Sequence, residues 1–571
     1  MTPFDVLLIN AHRQTQPYRN PTGDWLGIHY LAAYLNANGI AARAFAGYLH
    51  ELPQLLEDTL TPCHVKLVGL SCDYENQLEV SDFAAHIKSR WHLPVVVGGP
   101  QAFALDSSFL DSSHADLIIR GEGELTLLEV ARCLLDGTDW THARGISFLQ
   151  DGQLVANPPR DLIENLDELP FPNPDYALGT LFRPSIASFL TGRGCPFRCS
   201  FCFEGGNTRG VRWRSVRNVM DEIRLVLSQR PDISFIMFTD DTFTVDLTRV
   251  REFCRQLKEL RRDRPISWFC EGHVRTLVRD LDIIHEMVDA GMTCLQIGIE
   301  SGHDDILADF NKQITTDMIE QVVLAAHHAG LEQLWGNIIL GAAHETPQRI
   351  EQNIRFCEHL LEIAPGLLNL DVVYFWPLPG TDITTHPHQY GMTIRDPDSL
   401  TSALDFPVAD FDGLSRKALC NARHTFMQRL ERKVEELLPQ VPHQRLLQLL
   451  RSASQAQNFS MWLRPLERHP HLHKFLSLLD CGATSLLQDV PEHARPHLHP
   501  LRTTPPQQFD ANGNLVVDTT TLSHDETLIM LLASGKNTAD DIQRLTASSI
   551  PNPWSVMRQL ESQRLLTFSK H

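Results

Sequence analysis

Cys195-Pro196-Phe197-Arg198-Cys199-Ser200-Phe201-Cys202 is a CxxxCxxC run about a third of the way along the 571-residue chain. Three thiolates at this spacing can hold three irons of a [4Fe-4S] cube and leave the fourth iron without a protein ligand. A closed structural zinc site would want a fourth Cys or His nearby, and none follows before Cys254. Packing alone does not require three neighbouring thiols. An apolar, strand-like segment at 186–190 precedes the run, and Ser215 is placed to cap the helix that follows it.

CxxxCxxC with the aromatic Phe201 directly before the third Cys resembles the signature of the radical S-adenosylmethionine enzymes. The resemblance implies that S-adenosylmethionine chelates the open iron through its amino and carboxylate groups. One-electron reduction then cleaves the sulfonium to a 5′-deoxyadenosyl radical. The likeness covers residues 186–400, where six strand candidates follow in βα order at 186–191, 234–239, 266–271, 294–299, 335–340 and 371–376. It implies a partial (β/α)6 barrel of the TIM type, with functional residues at the C-terminal strand ends. By the same resemblance, Phe201, Thr239, Asp240, Asp241, Glu300 and Gly341 belong to the S-adenosylmethionine site. Asp240-Asp241 would face the methionyl ammonium, Glu300 the ribose hydroxyls, and the loop from Gly341 to Glu345 the adenine. Glu271, His273, Tyr374 and Trp376 are substrate-side candidates, and no catalytic residue is assigned.

Upstream, β-type runs at 4–9, 40–45, 66–71, 94–98 and 116–119 alternate with helical patterns at 26–37, 77–90 and 124–135. This alternation predicts a doubly wound, Rossmann-like parallel sheet over 1–150, with ligands at the carboxyl ends of its strands. Those ends carry Asn10-Ala11-His12, Ser71-Cys72-Asp73-Tyr74 and Gly98-Gly99-Pro100. The glycines permit close backbone approach to a ligand, or simply make a tight turn. In this order before a radical motif, the domain resembles the cobalamin-binding domain fused to one radical subclass. That likeness assigns Asn10, Ser71, Asp73, Tyr74, Gly98, Gly99, Gly121 and Glu122 to the cobalamin site. The DxHxxG motif that supplies a cobalt-ligating His elsewhere is missing from the sequence, so cobalamin is expected base-off, with His12 the alternative cobalt ligand.

Residues 151–185 read as a linker and 401–505 as amphipathic helices followed by a solvated, His- and Pro-rich connector. In 506–571, Asn512-Gly513 signals a hairpin turn, and Ser523 with Glu526 a capping box. Hairpin and helices together suggest a winged-helix-like domain, weakly similar to those that capture precursor peptides, with 515–518 as the strand edge that receives the peptide. A purely structural cap is the alternative.

Fifty Lys and Arg against seventy Asp and Glu give a net charge of −20, which argues against nucleic acid or anionic membrane as partners. Scattered cysteines and no long apolar run predict a cytoplasmic protein, acting as a monomer with an external one-electron donor of the flavodoxin or ferredoxin type. The resemblance implies a cobalamin-dependent radical C-methyltransferase. It would transfer methyl from methylcobalamin to an unactivated carbon after hydrogen abstraction, on a ribosomal peptide precursor or a small molecule. Alternatives are a non-methylating rearrangement, cyclisation or epimerisation with the same cofactors, and a non-catalytic cobalamin sensor or carrier. A methylthiotransferase would want a second Cys triad upstream, and the sequence has none.

Overall fold

The computed structural model describes residues 3–12, 26–73, 76–178, 185–204, 210–395, 406–518 and 520–570. The chain divides into two units, Met1–Leu430 with Gln455–Asn458, and Glu431–Ser454 with Phe459–His571.

The first unit holds two sheets. In the first, β1 (Val6–His12), β2 (Ala42–Tyr48), β3 (Leu67–Ser71), β4 (Val95–Gly98) and β5 (Leu117–Ile119) are parallel, in the spatial order β5-β4-β3-β1-β2. Alternate residues of β1 enter two cores. Leu7 and Ile9 pack on one face and Val6 and Leu8 on the other, so helices cover both sides as the continuous apolar runs predict. The order reverses between β1 and β3, which makes their carboxyl ends the crevice where such sheets bind ligands.

Two differences from expectation enlarge this sheet. Residues 151–185 are not a bare linker, because β7 (Gln153–Ala156) pairs antiparallel with β6 (Ile146–Gln150) and β8 (Ala177–Leu178) joins β2. The signal was Asp151-Gly152, both at positive φ, a turn that suits a two-residue hairpin. The sheet is therefore mixed at one edge, with β6 antiparallel to β5.

The second sheet follows the sequence reading strand for strand: β9 (Ile186–Phe189), β12 (Phe235–Phe238), β13 (Ser267–Gly272), β14 (Met292–Glu300), β15 (Gln333–Leu340) and β16 (Leu368–Tyr374). All neighbours are parallel and lie in sequence order, and among the described residues β9 and β16 end the row unjoined, which gives six open βα units. Between β9 and β12, the short pair β10 (Gly192–Arg193) and β11 (Arg212–Trp213) flanks the cysteine loop. Ser215 caps the helix Val216–Gln229 by accepting from the Asn218 N–H.

The second unit has its own core, including Leu515, Ile529, Met557 and Phe568. Three helices (His524–Leu532, Ala539–Thr546, Pro553–Ser562) follow a short three-stranded sheet, and the Ser523–Glu526 capping box is formed. Two expectations fail here. The segment 465–505 is no solvated connector: it forms the helix Pro470–Asp480, with Leu472, Phe475 and Leu476 buried, and Leu487, Val490 and Leu498 enter the core. Nor is 515–518 an edge. The strand Leu515–Val517 is central, flanked by Gln508–Phe509 and Thr520–Thr521, so its backbone groups are already paired. Among the described residues, no helix is long and apolar enough to cross a membrane.

Candidate functional site

The cysteine loop is pinned to the sheet it follows. The Ser200 N–H donates to the Phe310 carbonyl at 2.9 Å, the Asn311 amide donates to the Arg198 carbonyl at 2.8 Å, and the Ile383 N–H donates to the Ser200 carbonyl at 3.1 Å. Phe201 packs edge-on against Phe310. These ties hold three thiols outside any disulfide: Cys199 buried, Cys195 and Cys202 half-buried. Burial pushes the Cys199 thiol up to about 12, only partly offset by the nearby Lys312 ammonium. Thiols in that state need a bound cation to release their protons, which is what a metal cluster provides. The donor set thus fits a cluster held by Cys195, Cys199 and Cys202.

A buried ion pair stands beside them. Lys312 Nζ lies 2.7 Å from Glu300 Oε1, and 5.7 Å above the Phe201 ring. Burial works against charge on Lys312, but Glu300 and the thiols Cys199 and Cys202 hold its pKa above the ordinary value. Glu300 adopts a left-handed φ of 61° where the register between β14 and β15 slips. A Cβ on Gly298 would sit 2.1 Å from Glu300 Oε1 and 2.3 Å from Lys312 Nζ, so glycine there makes room for the pair. Glu300 therefore spends one oxygen on Lys312, where the sequence reading gave the whole carboxylate to ribose hydroxyls. That reading missed Lys312, although it is the only Lys or Arg between Arg279 and Arg349.

The acidic pair after β12 splits into two roles. Asp240 is buried and accepts from the Thr191 N–H at 2.6 Å and from the Thr191 hydroxyl, while Arg249 also donates to Thr191. Asp240 thus joins the ends of β9 and β12, with both carboxylate oxygens engaged by Thr191. Thr239 likewise continues the ladder, donating its N–H to the Phe189 carbonyl at 3.0 Å. Asp241 is exposed; it accepts from the Gly194 N–H beside Cys195 and keeps acceptor capacity for a ligand.

At the end of β13, burial first and Asp241 second push Glu271 up to about 7. His273 stacks on Phe197 of the cysteine loop, with centroids 3.7 Å apart. Burial drives its pKa down to about 2, and its Nδ1 accepts the Arg275 N–H at 3.2 Å, which places the proton on Nε2. That Nε2 is buried and meets no acceptor among the described residues. A buried donor left unsatisfied beside the loop is what a missing polar ligand would leave behind. Glu345 Oε2 is a second such atom, on a carboxyl that burial raises to about 8. Gly341 turns at φ 78° just before it. Tyr374 is tied to the Cys420 thiol and lies under Arg423, so it faces the helix Arg416–Leu437; Trp376 lies half-buried past β16.

Carboxyl ends of the first sheet meet this loop. Glu122 is held by Arg193 and Arg212, and Glu124 by Arg193 at 2.6 Å. Phe103, just after β4, lies 6.0 Å from Phe203, the residue after Cys202. Glu122 thereby ties the first sheet to β10 and β11. At the β1/β3 crevice, His12 Nε2 contacts Asn10 Oδ1 at 2.5 Å and its Nδ1 lies 3.4 Å from Asp73. Asn76 braces the loop by donating to the Ala11 and Ser71 carbonyls. Gly99, at φ 99°, makes room for the Cys72 backbone, 2.6 Å from where a Cβ would stand, so its need for glycine is internal. Gly98 and Gly121 leave open or loosely packed space, and Tyr74 lies outside the described residues. Polar strand ends with open glycines at a switch point fit a large cofactor lying across them.

Residues 189–357 match the family model of the Radical SAM superfamily. The matched residues, which include the cysteine loop, are a radical SAM domain. The chain is 33% identical over 296 residues to an uncharacterized methyltransferase of Pyrococcus horikoshii, covering 50% of this chain and 61% of the relative. It is 26% identical over 378 residues to the anaerobic magnesium-protoporphyrin IX monomethyl ester cyclase of Rubrivivax gelatinosus, covering 62% and 65%. The chain thus spans less than two thirds of the length of these two curated relatives. In fold it is similar to the radical S-adenosylmethionine methyltransferase TsrM from Kitasatospora setae, solved with cobalamin and a [4Fe-4S] cluster bound. The TM-score is 0.57 at 16% identity, over 76% of this chain and 89% of that one.

Proposed function

We propose that this protein is a cobalamin-dependent radical S-adenosylmethionine methyltransferase acting on carbon. The observation that carries the reading is the meeting of two carboxyl-terminal faces: the cysteine loop touches the β4 and β5 ends of the first sheet through Phe103–Phe203 and the Glu122/Glu124–Arg193/Arg212 ties. When bound, cluster, S-adenosylmethionine and cobalamin supply the radical and the methyl group. The chain's own residues bind and orient. Cys195, Cys199 and Cys202 hold the cluster, Asp241 receives the ammonium of S-adenosylmethionine, and Lys312, fixed by Glu300, sets positive charge beside the thiolates. His273 Nε2 and the protonated Glu345 offer neutral donors to a ligand in the cleft. At the β1/β3 crevice His12 is engaged by Asn10 and Asp73, which favours cobalamin held without a protein imidazole. The substrate is a peptide or a small molecule; a peptide strand would have to add at Gln508–Phe509 or Thr520–Thr521. A flavodoxin- or ferredoxin-type donor supplies the electron, and the chain acts as a monomer without nucleic acid or membrane.

The cyclase relative favours one further reading, in which the same cofactors close a ring and no methyl is transferred. Anaerobic incubation of reconstituted enzyme with cobalamin, a strong reductant and S-adenosylmethionine deuterated in its methyl group separates the readings. Release of 5′-deoxyadenosine together with a deuterated methyl on cobalamin supports the methyltransferase. Release of 5′-deoxyadenosine alone supports the ring-closing reading, and neither product would leave a sensor or carrier.

A further inference from the structure

Six histidines fall between residues 469 and 499, and two of them converge on one carboxylate from a distant part of the second unit. His469 sits at the start of the helix Pro470–Asp480 and His471 lies in its first turn. Asp518 directly follows the strand Leu515–Val517 and turns at a left-handed φ of 54°, which Asp tolerates better than most residues. His469 Nδ1 is 2.7 Å and His471 Nδ1 3.4 Å from the same Asp518 Oδ2, and all three donor atoms lie within 4.8 Å of one another.

We propose that His469, His471 and Asp518 bind a divalent transition-metal ion of the zinc class, which fastens this helix to the central strand of the small sheet. Two imidazoles and one carboxylate suit zinc or its neighbours better than calcium or magnesium, which prefer all-oxygen shells. Bonds of about 2.0–2.2 Å in tetrahedral geometry place ligand atoms roughly 3.3 Å apart. The 3.4 Å separation already meets that spacing, and the 2.7 Å one needs to open by a few tenths of an ångström. The side chains are 33%, 11% and 37% exposed, so one ligand is deep and two form a rim where water can complete the shell.

The nearby charge of Arg564 is directed elsewhere, since its guanidinium donates to the Leu438 and Val441 carbonyls at 2.9 and 2.7 Å.

The test uses full-length enzyme with its iron–sulfur cluster reconstituted, so that Cys195, Cys199 and Cys202 do not compete for zinc. Zinc is titrated against a colorimetric chelator, and Co2+ is used as a spectroscopic substitute. We expect one Zn2+ per chain, a rise in thermal midpoint on binding, and visible Co2+ bands of a tetrahedral N/O site. Loss of a mere supporting partner costs about 10–100-fold in affinity, so His471→Ala or Asp518→Asn should cost at least ~100-fold. His473→Ala should bind as wild type. If His471→Ala does not fold, the half-exposed His469→Gln carries the same expectation. Zinc affinity unchanged in His469→Gln and Asp518→Asn, or no stoichiometric zinc in the wild type, overturns the proposal.

Discussion

Substituting Asn for each member of the Asp240-Asp241 pair separates a structural carboxylate from a binding one. Asp240 already receives the Thr191 N–H at 2.6 Å and the Thr191 hydroxyl, deep in the protein. Asp241 receives the Gly194 N–H and is exposed. A hydrogen bond to a charged partner contributes about 1.5–3 kcal/mol, and solvent screening places an exposed group at the lower end. At about 1.4 kcal/mol per decade, Asp241→Asn should weaken S-adenosylmethionine binding roughly 10- to 30-fold. Asp240→Asn should leave affinity within about threefold, since under 0.7 kcal/mol separates the two states. Its signature lies elsewhere. Burial raises the Asp240 pKa to about 6, so wild-type stability falls as pH rises from about 4 to 6, and the neutral Asn variant should lack that loss. Equilibrium dialysis of labelled S-adenosylmethionine against anaerobically reconstituted enzyme measures the affinities, and thermal midpoints across pH measure the rest. Wild-type affinity in Asp241→Asn, or an equal loss in both variants, would refute the division of roles.

Changing Cys195, Cys199 and Cys202 together to Ala should abolish the charge-transfer absorbance and about four irons per chain; a full cluster surviving in that variant contradicts the assignment. Cob(II)alamin bound to the enzyme should give an electron paramagnetic resonance spectrum without axial nitrogen splitting, and His12→Ala should leave it unchanged. Clear splitting that disappears in His12→Ala would make His12 the cobalt ligand. The Glu345 carboxyl, raised by burial to about 8, destabilises the folded state progressively as pH climbs from about 4.5 to 8. Glu345→Gln should raise the thermal midpoint at pH 8.5, by the equivalent of up to about 3–5 kcal/mol, and leave it nearly unchanged at pH 4.5; equal shifts at both pH values would exclude that carboxyl as the cause.

Local signals sufficed for much of the architecture. The six strands of the second sheet and the five parallel strands of the first are apolar runs bounded by turns. Burial on both faces leaves a pattern any single segment displays. The cysteine triad was legible for the same reason, since its three thiols lie within eight residues. Where partners are remote in sequence, tertiary structure alone decided. Asp240 and Asp241 are adjacent and chemically identical, yet Asp240 is buried against Thr191, forty-nine residues away, and Asp241 is exposed. Glu122 resembled a ligand wall until Arg212, ninety residues away, closed on it. Leu515–Val517 resembled a free edge until strands on both sides paired with it. A histidine-rich stretch that lacked a carboxylate in sequence acquires one from Asp518, forty-nine residues downstream of His469. Composition and periodicity report what one segment can bury by itself. Which charge meets which is settled only when the chain folds back on itself and brings distant side chains to within a few ångströms.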